Sequence, residues 1–191
     1  MLSEGDGPGR GWKMPTRWSR CFAWLVVAVL LGALAGCAPP VINTKPDTFN
    51  VPADAAKYLH AGSPVALKNA YPSETKVKIF TMGESGWIAD LKQYTDTAII
   101  MLSREMAKKD VVIEPQAVKT ITLKVYNVSA SPGWVIKSYM TLEATYGDGT
   151  KSTVMTENSS PSDAWRSVDG SLMFAVTRLL GDEQFIAYVN K

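Results

Sequence analysis

Residues 119–158, KTITLKVYNVSASPGWVIKSYMTLEATYGDGTKSTVMTEN, decide the fold. Within 119–129, Ile121, Leu123 and Val125 recur at every second position. Within 134–146 the same face carries Ile136, Met140, Leu142, Ala144 and Tyr146. Alternation of this kind marks strands with one face buried and one in water. A third run with strand character covers 150–158. Ser131-Pro132-Gly133 and Gly147-Asp148-Gly149 supply the turns, the second fitting a tight hairpin. The expectation is an antiparallel meander.

Downstream, Pro161-Ser162-Asp163 reads as a helix start with Ser162 or Asp163 as N-cap. Trp165, Val168, Leu172, Ala175, Val176 and Leu179 then form an apolar stripe that Gly181 ends. Residues 182–190 fit a last short helix with Phe185, Ile186 and Val189 inward. Upstream, Val77 and Ile79 alternate with lysines in a strand that starts at Thr75 and breaks at 82–86. Leu91, Tyr94, Ala98, Leu102, Glu105 and Met106 then follow at helical steps, so 87–109 reads as an amphipathic helix. Residues 65–71 fit a short strand or a loop, and 111–113 a brief pairing. Together these elements predict an α+β two-layer sandwich. It has an antiparallel sheet of about four strands with two main helices on one face, in the order β-α-β-β-β-α.

The start of the chain has a different character. Arg17 and Arg20 precede the 14 apolar residues CFAWLVVAVLLGAL at 21–34. A helix needs roughly 20 apolar residues to span a bilayer, so a cleaved export signal fits this run better than a membrane span. Leu34-Ala35-Gly36-Cys37 closes it and resembles the lipobox of bacterial lipoproteins. That resemblance implies cleavage between Gly36 and Cys37, a diacylglycerol on the Cys37 sulfur and acylation of the new amine. Small residues at 35 and 36 admit the protease, and only a thiol can carry the thioether. The alternative is an ordinary secretory cleavage site with a free cysteine. Met14 offers a second start with a more compact leader. The expected organisation is a signal peptide at 1–36, a lipidated N-terminus and flexible tether at 37–60, and one periplasmic domain at 61–191. Pro39, Pro40, Pro46 and Pro52 punctuate the tether, which would hold the domain roughly 20–30 Å from its anchor.

Charge and composition exclude several function classes. The chain has 20 Lys+Arg and 18 Asp+Glu. Removing the leader takes Arg10, Lys13, Arg17 and Arg20 but only Glu4 and Asp6, leaving the mature part neutral. A neutral domain has no bulk electrostatic case for nucleic acid. Cys21 leaves with the signal and Cys37 is acylated, so no thiol remains for disulfides or zinc. The one histidine, His60, lies beside the tether and reads as a solvated loop residue. Gly83-Glu84-Ser85-Gly86-Trp87 fails the nucleophile-elbow pattern at its last position. No P-loop or dinucleotide fingerprint is present. The expectation is no catalytic residue, no metal and no cofactor.

Trp12, Trp18 and Trp24 belong to the leader. Trp87, Trp134 and Trp165 remain, each at the end of an element, and read either as core packing or as a partner-binding aromatic patch. From about Val77 onward the chain resembles the YajG-type outer-membrane lipoproteins. The likeness rests on the strand and Gly-containing break before a long helix, on KTITLKVYNVSAS, TYGDGTKST and AVTRLLGDEQFIAYVNK. It implies location and fold, with no catalytic residue to carry over. Ala38 stands where enteric inner-membrane lipoproteins carry Asp, which points to the periplasmic face of the outer membrane. The leading expectation is a non-enzymatic lipoprotein with a binding or assembly role, its partner an envelope protein, peptidoglycan or lipid. The alternative is an anchored hydrolase or carbohydrate-acting enzyme using carboxylates, recognisable by a pocket with two or more convergent acidic groups. No such pocket is expected.

Overall fold

The meander forms as expected and its edges extend slightly. A computed structural model describes residues 39–191 except 46, 48, 83, 84, 132 and 162. The signal peptide, Gly36, Cys37 and the proposed cap Ser162 lie outside the described residues. Strands β5 (Lys119–Ser131), β6 (Ile136–Tyr146) and β7 (Lys151–Ser160) pair antiparallel. β2 (Val65–Asn69) joins the other side of β5 in parallel, with Val65 opposite Lys119, giving the order β2-β5-β6-β7. Helices α1 (Leu91–Ala107) and α2 (Ala164–Leu180) pack against this sheet and each other, and α3 (Glu183–Val189) closes the chain.

The chain is α+β, with a topology richer than the predicted single antiparallel sheet. A second sheet, in the order β1-β4-β3, is built from β1 (Val41–Ile42), β3 (Lys76–Met82) and β4 (Ser85–Asp90). Each sheet holds one parallel pairing, β1 with β4 and β2 with β5. The predicted break at 82–86 is narrower than expected: Met82 still belongs to β3, and Ser85 and Gly86 already belong to β4, with Met82 paired to Ser85 in the β3–β4 hairpin. The predicted helix start at Trp87 is therefore corrected: residues 87–90 are strand. Trp87 stacks on Phe80 across the hairpin, with ring centroids 4.5 Å apart. Helix begins only after Asp90, whose carboxylate accepts the Lys92 N–H at 3.0 Å and the Thr75 N–H at 2.9 Å. One capping carboxylate thus ends the hairpin and starts the helix.

The segment read as a tether also differs from expectation. Ile42, Val51, Ala56 and Leu59 are buried in the core, and Arg104 holds Asp47 at 2.8 Å. Prolines interrupt helix and strand there, yet apolar residues between them still dock and leave water. The core itself follows most of the predicted faces: Ile121, Leu123 and Val125 of β5, Met140, Leu142 and Ala144 of β6, and the helix stripes are buried, except that Trp165 is exposed and Ile186 only half-buried.

Where β2 ends, β5 keeps an unpaired edge inside the protein. Thr95 solves half of this, its hydroxyl accepting the Val125 N–H at 3.0 Å. The Tyr71 hydroxyl supplies the other half, donating to the Val125 carbonyl at 2.8 Å. Two side chains replace the missing strand, as buried backbone groups require partners. Between α2 and β6 the contact is lined with hydroxyls: Ser138 donates to the Ser167 carbonyl and lies 2.7 Å from the Ser171 hydroxyl. Such small residues bring the helix close to the sheet.

Candidate functional site

Two of the three proposed partner-binding aromatics meet in one groove. Trp87 reaches it from β4 and Trp165 from the first turn of α2. Pro40, Val41 and Asp163 complete its main walls, and its volume is about 400 Å³. The chain from residue 39 enters the fold here: the Pro40 carbonyl accepts the Ile88 N–H at 3.1 Å, and β1 follows at once. Asp163 caps α2, accepting the Arg166 N–H at 2.9 Å, which fixes the direction of Trp165. The Arg166 guanidinium lies over the Trp165 ring, 5.2 Å from its centroid, in a cation–π contact.

Trp134 is not part of the groove. It stands fully exposed in the β5–β6 turn. The register nevertheless puts it at the same end of the large sheet, because Ile136 pairs with Ser160, just before α2 begins. Trp165 is 37% exposed, and Trp87 is half-buried through its stack on Phe80. Sequence reading found the three residues; that Trp87 and Trp165 share a wall depends on the second sheet, which it missed.

Behind the groove, the entering chain is fastened to α2. Asp169, only 3% exposed, accepts the Lys45 N–H on Oδ2 at 3.4 Å. Its Oδ1, the Thr44 hydroxyl and the Tyr94 hydroxyl are all buried. Burial pushes the Asp169 carboxyl up to about 6, against the opposing pull of Thr44 and Lys45. Burial likewise raises the Tyr94 phenol, and the Asp169 charge adds to it.

A second hollow, of about 550 Å³, corrects the expectation that no pocket gathers carboxylates: Glu74, Asp90 and Asp96 all line it, with Lys76 and Lys92. Each carboxylate there already has a structural partner. Asp90 caps α1; Asp96 pairs with Lys92 at 2.7 Å and accepts the Asn69 amide at 2.6 Å; Glu74 pairs with Lys76 at 2.9 Å. His60 is exposed elsewhere, its backbone N–H donating to the Asn190 side-chain oxygen. Among the described residues no group of three or more His, Cys, Asp or Glu is placed to hold a metal, and no helix is long and apolar enough to cross a membrane.

No family model matches the chain, and no curated protein matches it. Solved structures similar to it include a Xanthomonas campestris protein described under the family model DUF330. That protein is 11% identical, with a TM-score of 0.44 over 79% of this chain and 93% of its own. Another is an uncharacterized protein, 10% identical, with a TM-score of 0.34 over 75% of this chain and 95% of its own. Neither likeness assigns a family or an activity.

Proposed function

We propose that the chain is a lipoprotein of the bacterial envelope, of the YajG type, held by acylated Cys37 at the periplasmic face of the outer membrane. Its role there is non-enzymatic, in binding or assembly, and its partner an envelope protein, peptidoglycan or lipid. The observation that carries this reading is the passage from LAGC at 34–37 into an ordered sheet within four residues. An anchor so close to the fold has no other evident use than to fix the domain on a surface. Engagement of Glu74, Asp90 and Asp96 in capping and ion pairs supports a non-catalytic domain over the carboxylate-enzyme alternative.

Mass spectrometry of the mature N-terminal peptide tests the anchor. The expected result is an acylated Cys37 peptide, and release of a Cys37→Ala variant from the membrane fraction. An unmodified Cys37, or a mature chain that still begins upstream of it, would refute the reading. Fractionation tests the location, and recovery in the inner membrane would overturn the outer-membrane assignment.

A further inference from the structure

We propose that the tryptophan-bearing end of the domain rests on the lipid bilayer itself, with Trp165 and Trp134 in the headgroup zone and the Trp87–Trp165 groove facing it. This inference rests on the lipidation of Cys37. Only Ala38 and Pro39 separate that cysteine from Pro40, whose carbonyl is bonded into the sheet. Three Cα-to-Cα steps span at most about 11 Å. Acyl chains on Cys37 must lie in the hydrocarbon, which brings the cysteine to headgroup depth, and that zone is itself about 6 Å thick. Pro40 is therefore held at the membrane surface, in place of the distance expected for a long tether.

Whatever surrounds Pro40 then faces lipid. Its surroundings are Trp87 and Trp165, with Arg166 over the latter ring, and Trp134 projects from the adjoining turn with half-exposed Val135 beside it. Tryptophan favours the headgroup region because its ring is apolar and its N–H needs a polar partner. Arg166, with its guanidinium over the Trp165 ring, and Lys45, which lines the groove, bring positive charge to this surface for lipid phosphate, and Asp163 stays engaged in capping α2. The bilayer thus fits this surface in both chemistry and distance.

The test uses the full acylated protein in vesicles of phosphatidylethanolamine and phosphatidylglycerol, with and without lipid brominated near the top of its acyl chains. Versions keeping only Trp165, or only Trp134, have the other mature tryptophans replaced by Phe. Flotation with the vesicles is measured first. The expected result is that the protein floats, and that each remaining tryptophan shifts to the blue and loses most of its emission to brominated lipid. A spacer of ten Gly and Ser residues inserted between Ala38 and Pro39 is expected to restore most of that emission while the protein still floats. Failure to float overturns the anchor, and this inference with it. Flotation with emission unchanged by bromine overturns this inference alone, as does a Trp165 shift produced by peptidoglycan fragments instead of lipid.

Discussion

The Asn158 side chain, reaching from β7 to the Ser167 carbonyl at 3.0 Å, occupies the space that a Cβ at Gly170 would need. Gly170 is required in α2 by this close approach rather than by its backbone angle: a built Cβ would lie 2.8 Å from Asn158 Cγ and nearer still to Nδ2. Gly170→Ala is expected to destabilise the protein by about 1–2 kcal/mol, because Asn158 must give up its helix contacts. In an Asn158→Ala background the same change should stabilise by about 0.5–1 kcal/mol, the ordinary helix preference for Ala over Gly. Urea unfolding of the four proteins measures this, and equal effects in both backgrounds would contradict it.

Asp169 gives stability a distinct pH signature. Its carboxyl is raised from 3.8 to about 6 by burial, so in that window the folded state holds more protons than the unfolded one. The contribution of this group to stability therefore falls as pH rises from 4 to 7, and amounts to roughly 2–3 kcal/mol across the window. Asp169→Asn removes it and keeps an oxygen for the Lys45 N–H. The variant is expected to gain on the parent steadily between pH 4 and pH 7. A constant difference across that range would show that the carboxyl titrates normally.

Thr95 and Tyr71 stand in for a strand at Val125, and they differ in what their loss leaves behind. Thr95→Val strands the Val125 N–H in the core, an expected cost of about 1–3 kcal/mol. Thr95→Ser keeps the acceptor and should cost less. Tyr71→Phe removes the donor from the Val125 carbonyl at a half-buried side chain, for about 1 kcal/mol. Thermal unfolding should rank the three in that order.

Ser138 separates hydrogen bonding from space. After Ser138→Ala, the Ser171 hydroxyl can still donate to the Ser138 backbone carbonyl, 3.2 Å away, so a loss below about 1 kcal/mol is expected. Ser138→Val adds volume beneath α2 and should cost about 1–3 kcal/mol through overpacking. A reversed order in calorimetry would mean that the hydroxyl, and not the close approach, governs this contact.

The meander was legible because each of its strands carries its own alternation, and turn residues fall between them. Val65–Asn69 and Val41–Ile42 carry no such record. Both pair in parallel with distant strands, and two to five residues are too few for a period. Trp87 was misplaced because the helical spacing of Leu91, Tyr94 and Ala98 extends backward without a visible stop. Asp90 was the available signal, an N-cap residue directly before the first apolar position of the stripe. The helix start at Trp165 and the cap Asp163, one of the two residues offered, were legible because they are local to one helix end, though Trp165 is exposed and not buried with the stripe. Their juxtaposition with Trp87 was not legible, since it depends on the entry of β1 beside β4. The acidic hollow escaped for the same reason: Glu74, Asp90 and Asp96 are scattered in sequence and meet only at the hairpin–helix junction.

The parallel register of β2 with β5 also orders events in time. A chain that emerges N-terminus first presents Val65 and Ala66, both wholly buried in the finished fold, before Lys119 and Thr120 have arrived to pair with them. The large sheet is thus completed late, through a long loop closure, which is an intrinsically slow step. During that interval Val65 and Ala66 lie open to water, so the protein is expected to refold more slowly, and to aggregate more readily while doing so, than its modest size suggests.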